Sequence, residues 1–556
     1  MLWGGESGRQ GEAVRKCRCD AIGRMNPHTR GTFADGIADS DNVRFEMAVK
    51  EAVKDLVVGL DSSTTATKAI AWTRDGSVAG TGRCAIALSN PEPERYEQDP
   101  EDWWQSAVSA LQMLTSQVDP ERIAALAISN QRETFVPLDA KGDPVRPAIV
   151  WLDQRCREEV AWLTERVGAD ELHRITGKPP DTAPVAYRMA WMLRNEPELY
   201  RSTAVFADVH SYLAWRLTGK FQTSWASADP LGLFDMERKE WSPEVMRVLE
   251  ICPEQMPVVV APGTVIGEVS AQAAAETGLA CGTLVVAGGG DGQAAGLGVN
   301  ALDPARAYLN LGTAVVSGTY SRQYRTGRAW RTMGSASGEG YYYETSLRAG
   351  TFLVEWFVRQ VCRAAEGDDT VYARLEAEAA SVPIGSGGLL AVPYWGAVMT
   401  PYWDPDARGC FVGLSGTHGI GHMYRALLEG IALEQALVSG MIEEEAGERI
   451  ASFVAIGGGA ASDLWRRIVA DASGKVVQRS RTLEASSLGA AVCAAAGAGW
   501  FANPAEAAAA MCGGITSEME PVPENVRRYA ELMGIYREIY PQLKESFVKL
   551  SGFGRR

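Results

Sequence analysis

The segment LVVGLDSSTTATKAIAW, from Leu56 to Trp72, places one acidic residue and a cluster of hydroxyls between two apolar runs. This pattern predicts two strands joined by a tight turn. Backbone N–H groups and hydroxyls in such a turn bind phosphate oxygens without much positive charge. Asp61 then fits an anchor for hydrated Mg²⁺, and Lys68 would neutralise phosphate. The alternative is a threonine-rich hairpin in which Asp61 only closes an Asx turn.

The same pattern occurs a second time, in PARAYLNLGTAVVSGTY from Pro304 to Tyr320. There too a strand runs into a polar residue, a small residue and a threonine, and a second strand follows. The five residues from Asp61 to Thr65 correspond to those from Asn310 to Ala314. We therefore expect two domains of similar plan, whose turns could face one another across a cleft.

Length and charge exclude several classes of partner. A chain of 556 residues is long enough for two large domains. The formal charge, 54 − 69 = −15, disfavours nucleic acid and anionic lipid, so we expect a small-molecule ligand. The ten cysteines show no paired zinc spacing and fit reduced thiols in a cytoplasmic protein. No apolar run is long enough to span a membrane, so no membrane partner is expected.

The amino-terminal residues 1–50 are expected to form a disordered extension, because the stretch from Met1 to Glu46 lacks sustained apolar periodicity. One hypothesis is that the natural chain begins at Met47. A genuine disordered tail is the other. N-terminal sequencing of the native protein that found Met1 or Leu2 would dismiss the first.

Two glycine-rich turns add candidate sites. In RIASFVAIGGGAASDLWRRIVADASG a predicted strand is followed by Gly457–Gly459, and a predicted helix begins near Ser462. This pattern suits a nucleotide, because glycines let a ligand approach the backbone closely and a helix N-terminus favours negative charge. In LVVAGGGDGQAAGLG a strand breaks into glycines and delivers Asp291 at its carboxyl end. Asp291 is therefore the candidate catalytic carboxylate, with helix capping as the alternative.

Taken in order, these motifs resemble the FGGY family of carbohydrate kinases. The most specific piece is GCFVGLSGTHGIGHMYRALLE, with WRLTGKF, VAGGGDGQAAG, LNLGTAVV and ASSLGAA also similar. The resemblance covers about Asp55 to the C-terminus. It implies an α/β chain of two actin-like ribonuclease-H-fold domains flanking a central ATP and sugar cleft. The implied boundaries are 55–300 for the N-terminal domain and 304–550 for the C-terminal domain.

The resemblance also implies residue roles in ATP-dependent phosphorylation. Asp61 would hold Mg²⁺ through water, and Asp291 would take the proton from the sugar hydroxyl. The residues implied to contact the ATP phosphates are Thr64, Thr65, Gly312 and Thr313. The residues implied to lie near the adenosine are Gly458, Gly459 and Ala460. Two positions depart from the family pattern, with Ser63 in place of glycine and Arg188 in place of lysine.

The substrate is predicted from four further positions, together with Asp291. Arg132 and Glu133 in AISNQRETFVPLD resemble the hydroxyl-gripping pair of glycerol kinases, whereas xylulokinases usually carry Met-His there. A plain strand-end ion pair is the alternative. Trp151 could form an apolar wall or belong to the core. Gly292, beside Asp291, has a small side chain and leaves room for a substrate larger than glycerol. We therefore expect a ketopentose such as D-xylulose, with glycerol or erythritol as alternatives.

A function of another class is open from the sequence. Actin and the heat-shock chaperone ATPases share the fold plan and use ATP as a conformational switch. Asp291 together with Arg132 and Glu133 favours a kinase, since a switch ATPase needs no polyol reader. The pair His418 and His422 has glycine-rich spacing and no evident third ligand, so no metal site is expected there. A homodimer is possible.

Overall fold

The computed structural model describes residues 53–365, 367–368 and 370–554. The expected extension at residues 1–50 and the proposed start at Met47 lie outside the described residues. The elements fall into two halves, each built around one large β-sheet with helices packed on it.

The first half runs from Leu56 to Gly298. Its strands are β1 (Leu56–Ser62), β2 (Ala66–Trp72), β3 (Val78–Ala85), β4 (Glu97–Gln98), β5 (Ile123–Asn130), β6 (Phe135–Leu138), β7 (Ala148–Ile149), β8 (Val205–Asp208), β9 (Gln222–Ser224), β10 (Phe234–Asp235), β11 (Glu240–Trp241), β12 (Val258–Val260), β13 (Val265–Glu268) and β14 (Leu284–Gly290). Its helices are α1 (Pro100–Thr115), α2 (Arg157–Val167), α3 (Ala169–Thr176), α4 (Val185–Asn195), α5 (Pro197–Ser202), α6 (Val209–Thr218), α7 (Trp225–Ala228), α8 (Pro243–Val248), α9 (Ala271–Thr277) and α10 (Asp291–Gly298).

The second half begins at Arg306. Its strands are β15 (Arg306–Leu311), β16 (Val315–Ser321), β17 (Arg331–Gly334), β18 (Tyr341–Leu347), β19 (Leu390–Val392), β20 (Cys410–Val412), β21 (Ser452–Ile456), β22 (Val476–Ser480) and β23 (Ile515–Met519). Its helices are α11 (Thr351–Trp356), α12 (Thr370–Ser381), α13 (Ile420–Ala446), α14 (Asp463–Ser473), α15 (Ala485–Gly497), α16 (Pro504–Met511) and α17 (Pro523–Gly554).

The predicted hairpin forms the middle of the first sheet, whose strand order is β13-β14-β5-β1-β2-β3. Strand β1 pairs antiparallel with β2 and parallel with β5, and β5 pairs parallel with β14. Every residue of β1 is buried, which explains why its sequence is a continuous apolar run rather than an alternating one. The Asp61 carboxylate comes at the end of this buried strand.

The second sheet repeats that pairing around the second hairpin, in the order β17-β18-β16-β15-β21-β22-β23. Strand β15 pairs antiparallel with β16 and parallel with β21, and β21 pairs parallel with β22. Each sheet therefore places its hairpin beside two parallel strands. The similar plan expected from the two hairpin sequences is present in the strand pairing.

The small-residue helix α15 packs against the first sheet although it belongs to the second half of the chain. A Cβ atom at Gly59 would overlap the Ser487 backbone oxygen, and one at Gly489 would overlap the Ala294 backbone oxygen. Such contacts are possible only for glycine, so the backbones of α15, β1 and α10 touch. Across the described part of the chain, no helix is both long enough and apolar enough to cross a bilayer.

The core of the second half contains a buried acid. Glu434, on the long helix α13, is 1% exposed and accepts hydrogen bonds from Tyr394 (3.0 Å) and Tyr536 (2.6 Å) through Oε2. Its Oε1, like Thr345 Oγ1, has no hydrogen-bond partner among the described residues, and both residues line a cavity of about 10 Å³. Burial raises the pKa of the Glu434 carboxyl to about 7, although the two tyrosine hydroxyls oppose the shift.

Replacing this acid should stabilise the protein at alkaline pH. Because the folded-state pKa of Glu434 lies above its unfolded value, the free energy of unfolding falls as pH rises through the window up to about 7. The substitution Glu434→Gln keeps an acceptor for both tyrosines and removes the charge. We expect a gain on the order of 1–3 kcal/mol at pH 8 and little change at pH 5, measured by urea denaturation. A difference that is equal at both pH values would contradict this assignment.

Candidate active site

Three neighbouring strand ends build the centre of the candidate site. In the register of the first sheet Asp61 lies beside Ser129 of β5, and Ser129 lies beside Gly289 of β14. Two residues after Gly289 comes Asp291, the first residue of α10. Adjacent strands lie about 4.8 Å apart, so parallel pairing brings the two predicted carboxylates to one edge of the sheet.

Asp61 is mostly buried at this edge, where Ser129 Oγ donates to its Oδ1 (2.8 Å). Burial raises the pKa of Asp61 to about 7, and the nearby Asp291 carboxylate adds to the shift, while Ser129 and Lys68 oppose it. A buried carboxylate with a second acid nearby favours a bound cation. The donor set therefore fits Mg²⁺, which takes one or two carboxylates and keeps several waters.

The first hairpin turn is closed by its own backbone and touches a predicted substrate residue. Ser63 N donates to Ala66 O (3.0 Å), and the Thr65 side chain is exposed. Trp151 Nε1 donates to Thr64 Oγ1 (2.9 Å), so Trp151 does not lie in the core as an apolar filler. Because the Thr64 oxygen accepts this bond, its own proton is available to a ligand.

Lys68 does not point freely toward the turn. Its Nζ lies 2.6 Å from Glu484 Oε2, and Glu484 immediately precedes α15 in the second half of the chain. Lys68 therefore joins the first hairpin to the second half of the chain. Neutralisation of phosphate by Lys68 stays a prediction, and any ligand there would have to share the lysine with Glu484.

The second hairpin turn contacts the glycine turn that follows β21. Gly457 has a left-handed φ of 81°, and a Cβ atom there would overlap Asn310 Oδ1 and lie 3.0 Å from Gly312 N. Glycine is thus required at 457, both for its conformation and for the close approach. Thr313 is exposed beside this contact. The structure therefore brings two elements predicted to bind nucleotide together.

The three residues predicted near adenosine differ in access. Gly458 is exposed, and a Cβ atom there would meet nothing within 4 Å. Gly459 packs so closely on Trp465 that a Cβ atom would lie 2.5 Å from its ring. Ala460 is 1% exposed and belongs to the core of the second half. Any contact of Ala460 with a nucleotide would thus have to involve the backbone.

Asp291 stands at the centre of the polar cluster with its side chain 42% exposed. Its Oδ1 accepts from Gly292 N (2.7 Å) and lies 2.9 Å from Arg132 Nε. Burial raises the pKa of Asp291, the Arg132 guanidinium opposes this, and the Glu133 carboxylate adds to it. A held, partly exposed carboxylate with a raised pKa suits a general base.

Arg132 and Glu133 are both engaged by residues of the second half. Arg132 Nη1 donates to Glu344 Oε2 (2.8 Å), and Arg331 Nη1 donates to Glu133 Oε1 (2.6 Å). Arg331 also donates to Glu344, through Nε (2.8 Å). Burial disfavours ionisation of Glu344, yet the two guanidinium groups hold its pKa at about 2. These four side chains and Asp291 form a chain of alternating charges across the two halves.

The sequence did not predict a place in the site for Arg331, Glu344 or Glu484. Glu344 was visible as the one acid in the strand YYYETSL, and Arg331 as the arginine that opens the buried strand RTMG. A charge inside a buried strand requires a partner, but its identity depends on long-range pairing.

Arg188, the departure from the family lysine, is fully buried and supports the substrate residues. It donates to Glu133 O (2.6 Å), Val150 O (2.9 Å) and Ala183 O (2.5 Å). Glu133 has a left-handed φ of 49°, a conformation that a non-glycine residue adopts only with support. Arg188 therefore fixes the backbone at Glu133 and beside Trp151.

The space beside Gly292 is filled rather than open. A Cβ atom at 292 would lie 2.8 Å from Glu344 Oε2 and 3.0 Å from Arg132 Cζ. The interpretation that a small residue there makes room for a larger substrate is wrong. Glycine is needed because Glu344 and Arg132 pass close to the backbone.

The substitution Gly292→Ala should therefore damage catalysis more than folding. We expect kcat to fall at least about tenfold, because the methyl group displaces Arg132 from Asp291, while the KM for ATP changes less than about twofold. Steady-state kinetics with saturating sugar would measure this. Gly534→Ala, where a Cβ atom meets nothing within 4 Å, is the control. Unchanged kcat in Gly292→Ala would show that the contact has no catalytic importance.

Comparison with known proteins agrees with the family expected from the sequence motifs. The models for the N-terminal and C-terminal domains of the FGGY family of carbohydrate kinases match residues 56–298 and 307–498. The chain is 31% identical over 504 residues to a xylulose kinase of Bacillus subtilis (strain 168), covering 89% of this chain and 99% of that protein. It is 33% identical over 472 residues to a glycerol kinase of Aromatoleum aromaticum, covering 81% and 92%.

The fold agrees as well. The crystal structure of a xylulose kinase from Rhodospirillum rubrum matches with a TM-score of 0.82 and 28% identity, over 88% of this chain and 99% of that chain. The expected α/β fold of two actin-like halves is confirmed, as is the expected class of enzyme, since kinases of this family transfer a phosphoryl group from ATP. The chain belongs to the FGGY family of carbohydrate kinases.

Proposed function

We propose that the protein transfers the terminal phosphoryl group of ATP to a hydroxyl of a neutral ketopentose, D-xylulose being the best-supported substrate. The observation that carries this proposal is the partly exposed Asp291 carboxylate, held by Arg132 beside Glu133. Similarity to xylulose kinases over nearly the whole matched length supports the choice of sugar.

The charge of the cluster supports a neutral substrate. Arg132 and Arg331 are each engaged by carboxylates, of Asp291, Glu133 and Glu344. An anionic sugar acid would have to draw a guanidinium away from an existing partner. Hydroxyl groups can instead accept from a guanidinium and donate to a carboxylate without separating the pairs.

The proposed mechanism uses Asp291 as the base. A sugar hydroxyl donates to the Asp291 carboxylate and passes its proton there as its oxygen bonds to the terminal phosphorus of ATP, while the bond from that phosphorus to the bridging oxygen breaks and ADP leaves. Gly292 N and Arg132 fix the carboxylate, so that little reorganisation accompanies the step. The ionised form is the active one, and the raised pKa makes Asp291 a better proton acceptor than an ordinary aspartate.

The nucleotide is proposed to lie between the two hairpin turns. Thr64 and Thr65 from the first turn, and Gly312 and Thr313 from the second, would donate to its phosphate oxygens, with Gly458 and Gly459 near the adenosine. Asp61 would hold Mg²⁺ through water, and this ion would neutralise phosphate charge. We further propose that 55–300 and 304–550 act as two domains around this cleft. A cytoplasmic location and a homodimer stay predictions.

Glycerol or erythritol is the second candidate substrate. Arg132 and Glu133 are the pair expected of glycerol kinases, and a glycerol kinase is among the similar proteins. Since the space beside Gly292 is filled, that position gives no reason to favour the larger sugar.

A coupled ADP-release assay across D-xylulose, ribulose, erythritol, glycerol and gluconate tests the proposal. We expect the highest kcat/KM with D-xylulose and the lowest with gluconate, since the anion meets engaged arginines. Glycerol turnover with a much higher kcat/KM than any pentulose would overturn the sugar assignment. ATPase activity that ignores every compound would overturn the kinase proposal itself.

The variant Asp291→Asn tests the base. The amide keeps the hydrogen bond from Gly292 N but cannot take a proton, so kcat should fall about 100- to 10,000-fold. ATP binding, measured by calorimetry, should stay within about threefold of the parent protein. Near-normal turnover in Asp291→Asn would show that another group accepts the proton.

A further inference from the structure

Glu344 is a fully buried carboxylate in the second half of the chain, on β18, with no role in the mechanism above. It is 0% exposed and receives three charged or polar donors. Arg132 Nη1, Arg331 Nε and the Tyr308 hydroxyl each lie 2.8 Å from one of its oxygens. A carboxylate held on every side in this way is fixed in position.

Arg132 connects this carboxylate to the catalytic one. Its Nε lies 2.9 Å from Asp291 Oδ1, and its Nη1 lies 2.8 Å from Glu344 Oε2 and 3.3 Å from Gln293 Oε1. The guanidinium group is rigid and planar, so fixing one nitrogen fixes the direction of the others. Glu344 and Gln293 together therefore set how the Nε–H of Arg132 points at Asp291.

The two ends of this connection belong to different halves of the protein. Arg132 and Asp291 follow strands of the first sheet, whereas Glu344 lies in the second sheet. Arg331, next to Glu344 in the same sheet, forms the parallel link to Glu133. Arg132 is therefore held in this position against Asp291 only when Glu344, in the second sheet, is in contact with it.

We infer that Glu344 is a positioning residue for phosphoryl transfer: it acts across the contact between the halves by holding Arg132, and Arg132 holds the Asp291 base. The inference rests on the proposed function of Asp291. The acidic groups around this contact also include Asp291, Glu133, Asp61 and Asp229, and the basic ones include Arg132, Arg331, Lys68 and Lys178. Removing the Glu344 charge leaves Arg132 free to turn away from its position against the base.

A double-mutant cycle tests this inference. We expect Glu344→Gln to lower kcat at least about tenfold while the KM for ATP changes less than about twofold, because the nucleotide site is untouched. In an Arg132→Gln background the same change should lower kcat less than about twofold further, since Glu344 acts only through Arg132. Equal losses in both backgrounds, or a parent-like kcat in Glu344→Gln, would overturn the inference.

Two comparisons keep the test decisive if Glu344→Gln alone does not fold. The pair Arg132→Gln with Glu344→Gln removes one charge of each sign, and it should match Arg132→Gln alone. Tyr308→Phe removes one hydrogen bond to Glu344 and keeps every charge; it should lower kcat in the parent background and leave it unchanged in Arg132→Gln. A Tyr308→Phe effect that persists without Arg132 would contradict the inference.

Glu434→Gln is the matched control, since it neutralises another buried acid of the second half, whose hydrogen bonds within the described residues come from two tyrosines. It should change stability and leave kcat within about twofold of the parent. The proposed function has its own tests, which do not involve Glu344. It is wrong if the parent protein phosphorylates no sugar, and the role of Asp291 as the base is wrong if the Asp291→Asn variant phosphorylates sugar at the normal rate.

Discussion

Parallel pairing of β1, β5 and β14 is the constraint on which the rest of this molecule depends. Chain segments separated by 60 residues (63–122) and by 153 residues (131–283) must end side by side, because parallel strands share one carboxyl edge. Asp61, Arg132 and Asp291 meet there for that reason alone. The second sheet repeats the pairing, so its hairpin turn and glycine turn also meet, at Gly312 and Gly457.

At the contact between the two halves, backbone segments approach each other closely and several side chains are charged. Helix α15 lies against β1 at Gly59, where the Ser487 backbone leaves no room for even a methyl group. The charges then alternate in sign from the partly exposed Asp291 through Arg132, Glu344 and Arg331. The last three are buried, and each is tolerated because a partner of opposite charge lies on either side. Removing one member therefore leaves its neighbour unpaired.

Much of the fold and part of the site could be predicted from local sequence. The two hairpins follow from apolar runs that flank small hydroxyl residues, and Asp291 follows from a strand that breaks into glycine. The partners Glu344, Arg331 and Glu484 could not be found in this way. Their contacts join positions 212, 198 and 416 residues apart, and no local pattern states which distant charge a buried arginine meets. Gly292 shows the same limit, since its neighbours Arg132 and Glu344 are distant from it in sequence.

The hydrogen bond from Trp151 to Thr64 has a consequence for how the two substrates influence one another. The indole belongs to the predicted sugar wall and the threonine to the predicted phosphate turn, so whichever ligand arrives first immobilises a side chain that the other also needs ordered. The second ligand would then lose less side-chain entropy on binding, and we expect it to bind more tightly. Linkage makes this synergy reciprocal, and the ratio of sugar affinities with and without nucleotide is its measure.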